Sequence, residues 1–160
     1  MTAGEDTFQV VVFVVGGHEF AFDIFRVQRI LMYRRPAAVP GAPAFLEGVL
    51  QVEGGVVPVI DLRKRFELEH APIGPDTRIL VVEADGASVG AVVDGASEVL
   101  RVPADAVAPP PPVVRGLAAA CVQGIITLAA RTVVLLNAAR VLTSSERVVV
   151  ERLTAEAEHG

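Results

Sequence analysis

The sequence predicts a mainly β protein made of two similarly built modules, and three observations support this fold class. Residues 9–31 and residues 78–100 repeat one pattern, in which an apolar run, a turn at glycine and a second apolar run follow each other. The chain is 52% hydrophobic, and we interpret its excess of valine, isoleucine and alanine as buried strands. Its 160 residues suit two small modules on one core, because a module of about 60 to 70 residues is marginal alone.

The elements follow in order from the apolar runs and the residues that break them. A glycine between two apolar runs predicts a hairpin turn in each repeat. The predicted hairpins comprise residues 10–15 and 20–24 around Gly17, and residues 79–82 and 89–93 around Gly86. We therefore expect the two hairpins to be equivalent elements of the two modules.

Each half of the chain also contains a strand that ends at a polar residue. Residues 56–62 predict a strand through Asp61 with a helical turn after it, and residues 132–137 predict a strand that ends at Asn137 before a second turn. Charged residues, prolines and a glycine break the periodicity over residues 67–77. This segment is the predicted linker between the modules.

The C-terminal part of the chain predicts a spacer and a helix. Four consecutive prolines at residues 109–112 forbid a helix and favour an extended surface path. Ser144 or Ser145 is predicted to cap a terminal helix that runs towards Ala157. The apolar residues predicted near one face of this helix are Val148, Val149 and Leu153.

Composition disfavours two classes of partner. The chain has 14 basic and 19 acidic residues and a net charge of -5, which repels a nucleic-acid backbone. Its longest weakly charged stretch, residues 116–130, is shorter than the roughly 18 to 20 residues that cross a bilayer. The first seven residues include two acids and no basic apolar leader. We therefore expect a cytoplasmic protein that neither binds nucleic acid nor inserts into a membrane.

The residues that usually carry chemistry do not form a site. Cys121 is the single cysteine and lies in an apolar stretch, which predicts a buried thiol. The three histidines are far apart in sequence, so no metal site is predicted. Asp61 and Asp94 each follow an apolar strand, where a carboxylate that caps a turn is a better interpretation than a proton-transfer pair. No catalytic, cofactor-binding or metal-binding residue is predicted, and we expect neither a cofactor nor a bound metal ion.

Three segments together resemble the CheW family of bacterial chemosensory coupling proteins. They are GVVPVIDLR at residues 55–63, ASVGAVVDGASEVLRV at residues 87–102 and RTVVLLNAARVL at residues 131–142. The resemblance extends over about residues 8–142. It implies an all-β fold of two five-stranded SH3-like or OB-like barrels on a shared core, with short helical turns and a C-terminal helix. The expected domain is residues 8–143, with barrels near 8–70 and 77–143 that can exchange strands, followed by a helix or tail over 144–160.

The resemblance also implies a function without catalysis. Members of the family are adaptors that join the cytoplasmic tips of chemoreceptors to the regulatory domain of a CheA-type histidine kinase. The receptor-binding residues that it implies here are Val27, Arg29, Ile30 and Glu53. At the position of Arg29 the family commonly has an acid, and at the position of Glu53 it usually has an arginine. We interpret this double reversal as a swapped ion pair that matches a particular receptor.

The implied kinase-binding surface is also altered. Around the proline run the family often has a basic residue and an acidic-aromatic pair, whereas this chain has Ala108 and Val113. These two residues and Asp94 are the predicted kinase contacts. The loss of charge and of an aromatic anchor suggests weaker or different kinase binding.

Two alternatives to the full adaptor stay open at this point. One is an accessory receptor-binding protein with weak or no kinase binding, and the other is a free-standing barrel that binds a small ligand or peptide. An enzyme is a distant third interpretation. A long extended strand edge also leaves self-association open.

Overall fold

The computed structural model describes residues 6–69, 71–110 and 120–159, and it confirms the mainly β fold with a C-terminal helix. The helices are α1 (Leu62–Arg65) and α2 (Ser144–His159). The strands are β1 (Thr7–Val15), β2 (His18–Asp23), β3 (Val27–Met32), β4 (Leu46–Val52), β5 (Gly55–Asp61), β6 (Arg78–Ala84), β7 (Ala87–Val93), β8 (Gly95–Pro103), β9 (Val107–Ala108), β10 (Val122–Leu128) and β11 (Arg131–Leu136).

The strands form two sheets. In each sheet, the chain that follows one edge strand continues to the opposite edge and closes the sheet into a barrel. The sheet of barrel A has the order β8-β1-β2-β11-β10-β9, and that of barrel B has the order β3-β6-β7-β5-β4. In barrel A, β8 and β9 follow each other in the chain but lie at opposite edges, so this segment closes the sheet. In barrel B, Ala37 beyond β3 pairs with Val49 on β4, the opposite edge. The predicted pair of barrels is confirmed.

The two barrels exchange the third strand of each sequence repeat. The first repeat forms β1, β2 and β3, and the second forms β6, β7 and β8. β3 leaves its own hairpin and pairs with β6, while β8 pairs with β1. Barrel B thus takes its strands from residues 27–93, and barrel A takes strands from both sides of that range. The linear barrel boundaries near 8–70 and 77–143 stay a prediction.

A shared apolar core joins the barrels. Side chains of barrel A, such as Phe13 and Phe22, belong to the same buried cluster as Ile60 and Leu80 of barrel B. The rings of Phe13 and Phe22 stack with their centroids 5.0 Å apart. Phe13, Phe20 and Phe22 of the first repeat therefore fill the core, because both faces of their strands are covered.

The C-terminal helix begins with a reciprocal cap. Thr143 Oγ1 accepts a hydrogen bond from the Glu146 backbone N–H at 3.1 Å, and Glu146 Oε1 accepts one from the Thr143 N–H at 2.8 Å. The prediction that Ser144 or Ser145 caps this helix is wrong. Neither serine has an acid three residues later, which this capping pair requires.

The buried face of α2 also differs from the prediction. Val150 and Leu153 are buried in the shared core, and Val149 packs against it partly buried. Val148, predicted near the apolar face, is 64% exposed. The helix starts at Ser144. Its contact with the barrels is centred on Val150. Among the described residues, no helix is both long enough and apolar enough to cross a membrane.

Candidate functional site

A cavity of about 390 Å³ lies between barrel B and α2. Strand β3, the turn between β4 and β5, the hairpin of β6 and β7, and one side of α2 contribute to its lining. Arg29 and Glu53, two of the four residues predicted to bind a receptor, both line this cavity. We call it the groove.

The geometry of the strands brings Arg29 and Glu53 together. Arg29 follows a bulge in β3, where the register to β6 shifts between Val27 and Arg29. Glu53 lies in the two-residue turn between β4 and β5, where Gly54 has a φ of 98° that favours glycine. Arg29 Nη2 lies 3.8 Å from Glu53 Oε2, a distance that allows an ion pair but no hydrogen bond.

This ion pair is open to solvent. The Arg29 side chain is 43% exposed and the Glu53 side chain is 89% exposed. Water therefore screens the attraction, and a pair of this kind contributes only about 0 to 1 kcal/mol to stability. Both charges stay accessible to a partner that enters the groove.

The other two predicted receptor contacts lie on β3 outside the groove lining. Val27 is half-buried and packs against the shared core. Ile30 is 48% exposed, and Met32 on the same strand is 70% exposed. The structure therefore places the charged pair in the groove lining and the two apolar residues on β3 outside that lining.

The three predicted kinase contacts do not form one surface. Ala108 is exposed on β9, opposite Ile125 of β10. The Asp94 side chain is 11% exposed and accepts hydrogen bonds from within the protein. Val113 lies outside the described residues. As kinase contacts, all three stay predictions.

Asp61 and Asp94, which sequence reasoning assigned to turns, bind one buried arginine. Arg63 Nε and Nη2 each donate to a different oxygen of the Asp61 carboxylate at 2.9 Å, and Arg63 Nη1 donates to Asp94 Oδ1 at 3.2 Å. Arg63 Nη1 also donates to the carbonyl oxygen of Ala71. The second Asp94 oxygen accepts from the backbone N–H of Gly16 at 2.8 Å. The hydrogen bonds from the guanidinium to Asp61 raise the pKa of Arg63, so the group stays charged.

This buried cluster is structural. Asp61 Oδ1 accepts the backbone N–H of Arg63 and so caps α1, as predicted. Gly16 belongs to the first hairpin of barrel A, and Asp61 ends β5 of barrel B. The cluster therefore ties the two barrels together at the connection from β7 to β8, and its carboxylates are already occupied.

Cys121 is buried, as predicted, and burial raises the pKa of its thiol to about 12. The thiol therefore stays protonated and unreactive at neutral pH. Within the described ranges, no group of three or more histidine, cysteine, aspartate or glutamate side chains could hold a metal ion.

Barrel A carries a charge at the position that corresponds to Arg29 and another beside the turn that corresponds to the turn with Glu53. Arg29 lies opposite Val81 in barrel B, and Glu98 lies opposite Val12 at the corresponding register position in barrel A. Glu98 pairs with Arg131, beside the turn that corresponds to the turn with Glu53.

The pair of barrel A is held more firmly than the groove pair. Arg131 Nε and Nη2 also donate to the two oxygens of Glu19 at 2.8 and 2.7 Å. Hydrogen bonding to Arg131 lowers the pKa of Glu19. The two barrels thus carry the same two charge types with their places exchanged. The arginine of barrel A is hydrogen-bonded to its carboxylates, whereas the arginine of barrel B is not hydrogen-bonded to Glu53.

Sequence reasoning missed the second wall of the groove. This wall consists of one side of α2, including Arg147, Val150 and Glu151. The helix pattern predicted Val149 and Leu153 on the apolar face but missed Val150, and it gave no indication of what the polar residues of the helix would contact. Only the docking of α2 against barrel B brings them near Arg29.

Comparisons with known proteins give a consistent result. Residues 9–146 match the family model described as the CheW-like domain. The chain is 32% identical to Chemotaxis protein CheW of Klebsiella aerogenes over 152 residues, which cover 94% of this chain and 92% of that protein. It is 38% identical to Chemotaxis protein CheW of Bacillus subtilis over 94 residues, which cover 59% of this chain and 60% of that protein. The crystal structure of scaffolding protein TtCheW from Thermoanaerobacter tengcongensis matches with a TM-score of 0.77 and 31% identity, covering 82% of this chain and 90% of that one.

Proposed function

Because the chain belongs to the CheW-like domain family, we propose that it is a chemotaxis adaptor that couples a chemoreceptor to a CheA-type histidine kinase. It is a scaffold rather than an enzyme. The receptor partner is the cytoplasmic tip, and the kinase partner is the regulatory domain. The protein acts in the cytoplasm and is recruited to clusters of receptors.

The observation that carries this proposal is the Arg29 and Glu53 pair at the mouth of a preformed groove. Two opposite charges 3.8 Å apart, both exposed, contribute little to stability but present a defined charge pattern to a partner. The family usually has these charges in the opposite order. A receptor matched to this chain should therefore carry a complementary reversal, which disfavours binding of the wrong adaptor.

The experiment is calorimetry of the purified protein with the cytoplasmic tip of a chemoreceptor from the same genome. The double variant Arg29→Glu with Glu53→Arg restores the common family order of charges. We expect it to bind this receptor tip about tenfold or more weakly, because like charges then face each other. Arg101→Glu is the control, since Arg101 is exposed and lies outside the groove lining.

The outcomes separate the parts of the proposal. Unchanged receptor binding by the double variant would contradict the matched charge reversal, while the adaptor function would stand. Absence of receptor binding by the native protein would contradict the adaptor function itself. If the native protein bound neither receptor nor kinase, a barrel that binds a small ligand or peptide would be the better interpretation.

A second candidate function is an accessory adaptor with weak or no kinase binding. The observation that favours it is the exposed methyl side chain of Ala108, which offers neither a charge nor an aromatic ring at the edge strand β9. Titration with the regulatory domain of the kinase decides between the candidates. Binding to the receptor tip alone supports the accessory role, and binding to both partners supports the full adaptor.

A further inference from the structure

The groove has two walls, and the second wall is a fixed part of the structure. Val150 and Leu153 anchor α2 in the shared core. Two nitrogen atoms of Arg65 donate to the two carboxylate oxygens of Glu146 at 3.2 and 2.7 Å. Arg147 pairs with Asp85, in the turn between β6 and β7. These contacts hold α2 at both the core and the rim of barrel B, so its groove face is preorganised.

Most polar groups of the groove already have partners. Ser88 Oγ donates to Gln28 Oε1 at 2.6 Å, and Thr154 Oγ1 donates to the carbonyl oxygen of Val150 at 2.7 Å. The charge of Arg147 is paired with that of Asp85, and Arg29 lies near Glu53. A partner that enters the groove therefore gains little by competing for the hydrogen-bonded groups, whereas the exposed charges of Arg29 and Glu53 stay accessible to it.

Glu151 is the exception. It lies on α2, is exposed, and lines the groove across from barrel B. Within residues 6–69, 71–110 and 120–159, it forms no ion pair or side-chain hydrogen bond. Its carboxylate thus gives the groove a negative charge that forms no ion pair with any described residue.

We propose that Glu151 is a specificity-determining residue that binds a basic side chain of the receptor tip. This inference rests on the proposed function, since it takes the receptor as the occupant of the groove. The receptor then contacts two walls, the Arg29 and Glu53 pair on barrel B and Glu151 on α2. An unpaired carboxylate beside a preformed cavity favours a cationic partner group and disfavours an anionic one.

The test compares two charge reversals on the same helix. Glu151→Lys changes the groove wall, and Glu156→Lys changes an exposed glutamate of α2 that does not line the groove. In calorimetry with the receptor tip, we expect Glu151→Lys to weaken binding about three- to tenfold and Glu156→Lys to have no effect. Glu151→Gln, which removes the charge without reversing it, should give a smaller loss. The difference between the native protein and Glu151→Gln should shrink as salt is raised, because salt screens exposed charges.

Two results would overturn the inference while the proposed function stands. In one, the native protein binds the tip and Glu151→Lys binds it equally well. In the other, Glu151→Lys and Glu156→Lys lose the same amount, which would indicate a general charge effect. Failure of the native protein to bind the tip would overturn both the inference and the proposed function. Circular dichroism of each variant checks that α2 is retained.

Discussion

Arginine meets carboxylate in two contrasting settings in this molecule. Arg63 is buried and bonded to Asp61 and Asp94, with every hydrogen-bonding group of the cluster close to a partner. Arg29 lies 3.8 Å from Glu53, and both side chains are exposed to solvent. The same charge pairing therefore serves structure in one place and leaves groups free for recognition in the other.

The physical reason for the difference is solvation. Charges removed from water must be fully paired, so losing one partner of a buried cluster leaves an uncompensated charge in the interior. Charges at the surface keep their hydration whether or not they are paired. Stability measurements should thus respond strongly to Arg63 and weakly to Arg29, whereas receptor binding should respond in the opposite order.

The largest expected effect is that of Arg63→Met on stability. This change keeps much of the side-chain volume but leaves the carboxylates of Asp61 and Asp94 without their cation. Removing one partner of a buried pair costs about 3 to 5 kcal/mol, and urea denaturation should show a loss of this size.

The control for that prediction is Arg101→Met. Arg101 is exposed and forms no ion pair with any described residue, so its loss should change the free energy of unfolding by less than about 0.5 kcal/mol. Equal effects of the two variants would show that the buried cluster contributes no more to the free energy of unfolding than an exposed arginine does.

An intermediate effect is expected from Glu146→Gln, at the ion pair that fixes α2. Burial disfavours the Glu146 carboxylate, but hydrogen bonds from Arg65 and Thr143 outweigh it, so the pKa lies below the ordinary 4.5. The variant loses charge-assisted hydrogen bonds and should be less stable by about 1 to 3 kcal/mol at neutral pH.

The pH dependence of this effect has a definite sign. A carboxyl whose folded pKa is lowered adds stability above its unfolded pKa, and this stability is lost as pH falls through the folded pKa. The difference between native protein and Glu146→Gln should be constant above pH 4.5 and shrink below it. Glu156→Gln, on the exposed part of α2, is the matched control. A difference that grew on acidification would contradict this account.

Local patterns were sufficient to predict the hairpins and two of the caps, although they gave the wrong cap for α2. The turn at Gly17 and the caps at Asp61 and Asn137 depend on residues adjacent in the chain, so the sequence carries their signal. The exchange of β3 and β8 between barrels depends on pairing with strands far away in the chain, which a repeat pattern does not specify.

The residues of the candidate site also differ in how far the sequence indicated them. Family resemblance indicated Arg29 and Glu53, and the fold brings them within 3.8 Å of each other. Glu151 carries no sequence signal, because one glutamate on the polar side of a helix resembles any other. Its position matters only because Val150 and Leu153 dock α2 beside barrel B.

The smallest stability effect is expected from Arg29→Gln, and the corresponding site of barrel A sharpens the test. Arg29 has one partner at 3.8 Å, so its loss should cost about 0 to 1 kcal/mol of unfolding free energy. Arg131 donates to both oxygens of Glu19 and also pairs with Glu98, which joins three strands of its sheet. Thermal unfolding should therefore show a larger fall in midpoint for Arg131→Gln than for Arg29→Gln, whereas only Arg29→Gln should weaken binding to the receptor tip. A larger fall in midpoint for Arg29→Gln would mean that the groove pair stabilises the fold. Weaker receptor binding by Arg131→Gln alone would mean that the pair of barrel A is the one used in recognition.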